Sequence, residues 1–258
     1  MRQAAFSHSL LLVVIAACGG DSKPANVDAP TGGGGGGGGD VDASIDAPGG
    51  GGGAAIKVSG TTTERTLTGM AVVSGATIAA YRNGDDATPV VMATSAADGT
   101  FTLSIPTTGG PLDGYLKATK SGLKDAYLYP PTAITADIAA PVNMIKQETW
   151  DTLVSVAIGA GNQQADKGLI ALLVVSGLTA DSTPVAGAVV TSTPESTVRY
   201  NNGLFPNGTT STAADGLAFL LNVATDSVTV SAKKGTTTYQ SHSLKARANV
   251  FTTTIITP

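Results

Sequence analysis

The chain has 258 residues with 33 glycines, one cysteine, one tryptophan, two histidines and 13% charged residues, which excludes an intrachain disulfide framework and a multi-cysteine zinc site. Its net charge of −4 is carried by Asp21, Asp28, Asp40, Asp42 and Asp46 against Lys23, and 15 of the glycines lie between Gly19 and Gly53 without a Gly-X-Y period. A near-neutral remainder with no basic cluster excludes nucleic acid as a partner, and the missing period excludes collagen.

Residues 1–17 read as an export signal. Arg2 supplies the positive start, Leu10 to Ile15 is an unbroken apolar run, and Ile15-Ala16-Ala17-Cys18 closes it. About nine residues separate Ser9 from Cys18, against about 20 for a membrane-spanning helix. The run resembles a bacterial lipoprotein signal, which implies lipidation of Cys18 and anchoring of the mature chain to the membrane through its N-terminal lipid. Gly19 in place of Asp after the cysteine is similar to the pattern of lipoproteins exported to the outer membrane.

Residues 18–54 read as a disordered Gly/Asp/Pro tether. Lys23 to Ala55 contains no aromatic residue and almost no large apolar one, so it cannot offset the entropy of ordering. A flexible chain of this length spans about 30–35 Å root-mean-square. Asp40, Asp42 and Asp46 lack the spacing of a calcium loop and read as solvated charge.

From Ala55 onward the pattern is all-β. Alternating runs cover Gly75 to Tyr81, Val90 to Thr94, Thr100 to Ile105, Gly114 to Lys120, Leu169 to Val175, Leu217 to Asn222, Ser227 to Lys233 and Phe251 to Thr257, about ten residues apart. Asn83-Gly84, Asp98-Gly99, Asn202-Gly203, Asn207-Gly208 and Asp215-Gly216 mark turns between them. Glu148 to Ile158 departs from the pattern: Trp150, Leu153, Val154, Ala157 and Ile158 recur at helical spacing, with Thr149 as cap and Gly159 as stop. This predicts a short helix between the two strand sets, anchored by Trp150.

One plan appears twice. Val58-Ser59-Gly60 matches Val175-Ser176-Gly177, Gly75-Ala76 matches Gly187-Ala188, and Ser95-Ala96-Ala97-Asp98-Gly99 matches Thr212-Ala213-Ala214-Asp215-Gly216. Ala118 to Gly122 matches Ala232 to Gly235. The motifs "Gly-Ala-x-Val" and "Thr-x-Ala-Asp-Gly-x-Phe", followed by a strand ending in a Lys-Gly turn, resemble the carboxypeptidase regulatory-like, transthyretin-like β-sandwich. The resemblance implies two tandem seven-stranded Greek-key-type sandwiches, at 55–146 and 168–258, with the helix and linker at 147–167 between them. The family's name comes from an accessory module, so the resemblance implies no catalytic domain.

Catalytic constellations are absent from the sequence. His242 is the one histidine after the signal, no nucleophile elbow or phosphate loop accompanies it, and its alternating segment reads as a solvent-facing strand. Asp98 and Asp215 are turn residues. Asn83-Gly84-Asp85-Asp86 reads as a solvated loop. No enzyme activity, cofactor or metal is expected; the function expected from this architecture is structural or adhesive, with an envelope protein or polysaccharide as partner. The alternative is a carbohydrate-binding module, glycan or peptidoglycan, built on aromatics: Tyr127 and Tyr129 on one strand face, and Tyr200 and Phe205 around an Asn-Gly-rich loop. Related pilin modules on this fold carry a Lys–Asn isopeptide bond, for which Lys57 and Asn143 occupy the first and last strands of the first copy.

Overall fold

The computed structural model describes residues 55–106, 110–203 and 205–258; Cys18 and the tether lie outside them. Nine strands precede the helix: β1 (Ala55–Arg65), β2 (Met70–Val72), β3 (Thr77–Arg82), β4 (Val91–Thr94), β5 (Thr100–Pro106), β6 (Gly114–Thr119), β7 (Ala126–Tyr129), β8 (Ile138–Ala139) and β9 (Val142–Ile145). After α1 (Gln147–Ile158) come β10 (Gly168–Val174), β11 (Val189–Thr193), β12 (Thr197–Asn202), β13 (Phe205–Gly208), β14 (Leu217–Val223), β15 (Asp226–Lys234), β16 (Thr237–Thr238), β17 (His242–Ala246) and β18 (Phe251–Ile256). The fold is all-β. Each expected strand is present within two residues of its predicted ends, because alternation against a buried face fixes a strand more tightly than its termini.

The two copies match pair by pair in register. On β1 and β5, Val58, Ser59, Gly60 and Thr61 face Leu103, Thr102, Phe101 and Thr100; on β10 and β14, Ile170, Ala171, Leu172 and Leu173 face Leu220, Phe219, Ala218 and Leu217. Val58-Ser59-Gly60 therefore corresponds to Ile170-Ala171-Leu172, and its likeness to Val175-Ser176-Gly177 is a coincidence of residue types. The other matched motifs superimpose through identical bonding. Ala76 N–H donates to Ser95 Oγ at 2.9 Å and Ser95 Oγ donates to the Val73 carbonyl at 2.8 Å. Ala188 N–H donates to Thr212 Oγ1 at 2.9 Å and Thr212 Oγ1 to the Val185 carbonyl at 2.7 Å. One hydroxyl in each copy thus satisfies backbone groups where the chain crosses between sheets, groups that burial would otherwise leave unpaired.

The Asp-Gly turns repeat as closely. Gly99 and Gly216 have φ of +78° and +69°, the left-handed region glycine enters without steric cost. Asp98 Oδ1 accepts from Thr100 N–H and Asp215 Oδ1 from Leu217 N–H. In both copies a strand passes directly beneath the glycine, so an added Cβ would fall 2.8 Å from the Thr62 carbonyl oxygen or 2.6 Å from that of Val174.

The copies differ in two places. The last strand of the first is cut into β8 and β9 around Ala140-Pro141, whereas β18 runs unbroken; Pro141 has no N–H to give to a ladder. After β11, β12 leaves its sheet and pairs with β14, whereas β4 stays on β3.

The copies are also joined. β18, the chain's last strand, lies between β10 and β7, parallel to both, so β4-β3-β6-β7 and β18-β10-β14-β12-β13 form one nine-stranded sheet. One face of that sheet belongs to a core holding Leu116, Leu128, Ala171, Leu173 and Phe251 together with Val58 and Leu103 of the β1-β5 sheet and Trp150, Leu153 and Val154 of α1. The opposite face packs Ile170, Leu172 and Leu220 against Val190, Val228 and Val230 of the β11-β15-β17 sheet, and carries Tyr115, Tyr127 and Tyr129 beyond it. Leu128 and its two tyrosine neighbours sit on opposite faces of β7 and are all buried; burying a leucine side chain contributes about 1.5–3 kcal/mol.

α1 begins at Gln147. Its N-cap is Lys146, without a side-chain cap bond, and not Thr149. Gly159, at φ +91°, ends it.

Candidate functional site

Tyr127 and Tyr129 share a strand face as expected, but that face is interior: they are 6% and 1% exposed. Tyr81 stacks on Tyr115 with centroids 5.3 Å apart, and Tyr115 on Tyr129 at 5.0 Å. The Arg247 guanidinium lies over Tyr127 at 4.3 Å and Tyr115 at 4.7 Å, and its Nη1 donates to Tyr129 Oη at 2.7 Å. The glycan-stacking role expected of Tyr127 and Tyr129 is thereby corrected. An arginine from the segment after β17 covers the aromatic face, because two strand sets sharing a sheet must cover the half that lacks a facing sheet.

Asp86, in the loop between β3 and β4, completes this latch. Its carboxylate accepts from Lys245 Nζ at 2.6 Å, from Arg247 Nη2 and from Tyr115 Oη. Partial burial raises the Asp86 carboxyl pKa, but the hydrogen bonds from Lys245, Tyr115 and Arg247 outweigh it and hold the group well below the usual carboxylate range. Burial, then the bond to Asp86, pushes the Tyr115 hydroxyl far above its ordinary value. The loop expected to be merely solvated is thus tied down: Asp85 Oδ1 accepts from Ala87 and Thr88 N–H, and Asn83 Nδ2 donates to Asp113.

Tyr200 is corrected as well. Tyr200 is 2% exposed, and its hydroxyl accepts from Val190 N–H at 2.9 Å; Phe205 is half-buried at the start of β13, paired with Asn202. The loop between them is a hairpin closed at Gly203, φ +73°. His242 is half-buried and not solvent-facing. Its Nδ1 lies 2.8 Å from Thr254 Oγ1, and burial lowers its pKa.

Lys57 and Asn143 do not meet. Asn143 stands opposite Thr63, six positions along β1 from the exposed Lys57, a separation of about 20 Å at the rise of a strand. Asn143 Oδ1 accepts from Thr63 Oγ1 and Arg65 Nε, and Lys57 N–H donates to Asp137. No group of three or more His, Cys, Asp or Glu side chains suited to a metal occurs among the described residues.

A cleft that sequence reasoning missed lies where α1 starts. Trp150 is 5% exposed and Lys124 7%. Lys124 Nζ sits 4.7 Å from the indole centroid and donates to Asn249 Oδ1 and, at 3.5 Å, to the Asn249 carbonyl. The backbone on both sides is fixed: Lys124 N–H donates to the Ile145 carbonyl and Phe251 N–H to that of Asp125. Asn249 adopts φ +59° and Gly122 φ +83°. Burial lowers the Lys124 pKa, opposed by the charge on Asp151. A cavity of about 420 Å³ opens between α1 and the segment after it, bordered by Trp150, Asp151, Gln164 and Lys167. A second, of about 490 Å³, opens beside Lys124, Gly122 and Val250, and Gln147 and Asn249 border both. In sequence, Gly122-Leu123-Lys124-Asp125 looks like an ordinary solvated turn, and nothing local tells that β18 will pass beside it.

No protein-family model and no curated protein matches the chain. Among solved structures it is similar to the shaft pilin SpaA from Lactobacillus rhamnosus GG, at 11% identity and TM-score 0.27, covering 79% of this chain and 98% of that one. The minor pilin GBS52 of Streptococcus agalactiae gives 12% and 0.27, covering 78% and 94%. The Bacillus anthracis TIE protein gives 14% and 0.25, covering 78% of this chain and 34% of its own. These scores are too low to carry an argument, and the architecture rests on the strand register above. No helix among the described residues is long and apolar enough to cross a membrane.

Proposed function

We propose that the protein is a non-enzymatic envelope lipoprotein, held in the outer membrane through lipid on Cys18 and presenting a two-copy β-sandwich body, residues 55–146 and 168–258, as a structural or adhesive component. The supporting observation is the nine-stranded sheet. Strands from both copies share one backbone ladder, and the Asp86–Arg247–Lys245 latch ties the copies a second time. Such a body transmits load between its ends without a hinge, which suits a spacer or adhesin held away from the membrane by a tether. The likeness to carboxypeptidase regulatory-like modules, in the Gly-Ala and Ala-Asp-Gly motifs, supports the same reading. A glycan-binding reading loses its aromatic face, since Tyr127, Tyr129 and Tyr200 are core residues.

Mass analysis of the mature N-terminal peptide tests the anchor: the reading requires diacylglycerol on Cys18, and Cys18→Ser should release the chain from the membrane fraction. An unmodified Cys18 would overturn it. Cross-linking on intact cells tests the adhesive role, which predicts an envelope or host protein joined to the body.

A further inference from the structure

We infer that Arg65 and Asn143, beside the open strand β2, bind the C-terminal carboxylate of an extended apolar peptide, the carboxylate meeting these two donors and the peptide's side chains meeting Met70 and Val72. The starting observation is the Arg65 guanidinium. It is 9% exposed and its Nε donates to Asn143 Oδ1 at 2.8 Å, yet among the described residues it makes no other side-chain hydrogen bond and no ion pair. Its neighbour Glu64 alternates to the opposite face of β1 and is held by Lys146 at 2.9 Å. Burial lowers the Arg65 pKa, with no neighbouring charge acting against it. A buried charge is ordinarily paired, because its desolvation is only partly repaid by neutral acceptors; Arg247, by contrast, has Asp86.

Asn143 supplies an independent sign. It is 2% exposed, and Thr63 and Arg65 both donate to its Oδ1, but its Nδ2 is buried with no acceptor among the described residues. Buried donors are nearly always satisfied. Two joined side chains therefore lack the same thing, an acceptor that carries negative charge, and the guanidinium fork fits the paired oxygens of a carboxylate. Register shows where such a ligand lies. Cross-strand pairing sets Arg65 between Met70 and Ile145, and Thr63 between Val72 and Asn143, on one face of the β2-β1-β9 sheet. That face is covered over β9, where Asn143 and Ile145 are buried, and open over β2, where Met70 and Val72 are 59% and 58% exposed. Arg65 stands at the border. β2 is the outermost strand of its sheet, paired among the described residues with β1 alone, and an open strand edge takes an extended chain by backbone bonding. A phosphate or a sugar acid has no use for two exposed apolar side chains and a strand edge; a peptide terminus uses all three features. The inference gives the adhesive reading above a class of partner and rests on it. Its test uses the purified chain and a defined peptide, so its failure is distinct from a failure of cross-linking on cells.

The full chain would be titrated by calorimetry with acetyl-Thr-Val-Thr-Val carrying a free carboxylate, with the same peptide as its C-terminal amide, and with decanoate as an apolar carboxylate without a backbone. The expected result is saturable binding of the free-carboxylate peptide, and affinities at least about tenfold weaker for the other two. Arg65→Met should weaken binding of that peptide at least about tenfold. Asn143→Asp supplies Arg65 with a carboxylate from within the fold and removes the unmet N–H, so it should raise the thermal midpoint and abolish peptide binding together; it decides the matter if Arg65→Met does not fold. The proposal is overturned if the free-carboxylate peptide does not bind at about millimolar concentration. It is equally overturned if the amide or decanoate binds as well, or if the folded variants bind like the wild type.

Discussion

Ser95 and Thr212 occupy the same position in the two copies, but their removal should not cost the same. Ser95→Ala deletes the acceptor for Ala76 N–H and one donor to the Val73 carbonyl; that carbonyl keeps a second donor, Thr62 Oγ1, at 2.6 Å. One buried backbone group is left unpaired. In the second copy, the position of Thr62 is held by Val174, which has no hydroxyl. Thr212→Val, close to isosteric, therefore strands both Ala188 N–H and the Val185 carbonyl. At about 1–3 kcal/mol for each unsatisfied buried group, Ser95→Ala should cost about 2 kcal/mol and Thr212→Val about 4 kcal/mol. Equilibrium urea unfolding by circular dichroism measures both. Adding Thr62→Val to Ser95→Ala should bring the first copy's loss up to that of the second. Equal losses for the two single variants, or a larger loss for Ser95→Ala, would refute the reasoning.

Gly99→Ala and Gly216→Ala should each destabilise by more than about 1 kcal/mol, since each adds a Cβ at positive φ against a carbonyl oxygen less than 3 Å away; a shift of the thermal midpoint reads this out. Asp86 has a folded pKa below its unfolded one, so its stabilisation is fully present above the unfolded value of about 4 and is lost as pH falls through the folded value. The stability gap between wild type and Asp86→Asn should be widest at neutral pH and close in acid; a gap that stays constant would contradict the latch. His242 is depressed by burial, so its protonation favours the unfolded chain. Wild-type stability should fall as pH drops below about 6.5, and His242→Gln should flatten that slope.

How far the sequence announced this molecule depended on whether the information was local. The strands from Thr100 to Pro106 and from Asp226 to Lys234 alternate cleanly because one face of each is buried. The Ala-Asp-Gly turns were legible because glycine is required by the chain passing beneath them. β18 was legible as a strand but not as the central one: Thr252, Thr253 and Thr254 look suited to an edge, yet all three are buried, and Thr253 and Thr254 donate to the carbonyls of Tyr127 and Tyr129. With that strand's place unknown, Tyr127 and Tyr129 read as exposed. The same gap hid the cleft, since Lys124 and Asn249 meet across β18's entry. The Val-Ser-Gly match misled because three small residues fit many strand positions, and only register decides among them.

Differential scanning calorimetry of the full chain tests the central claim, that the two copies form one cooperative body through β7 and β18, most directly. The shared sheet predicts a single transition whose calorimetric enthalpy equals its van't Hoff enthalpy. Two resolved transitions, each with the enthalpy of about half the folded residues, would contradict it.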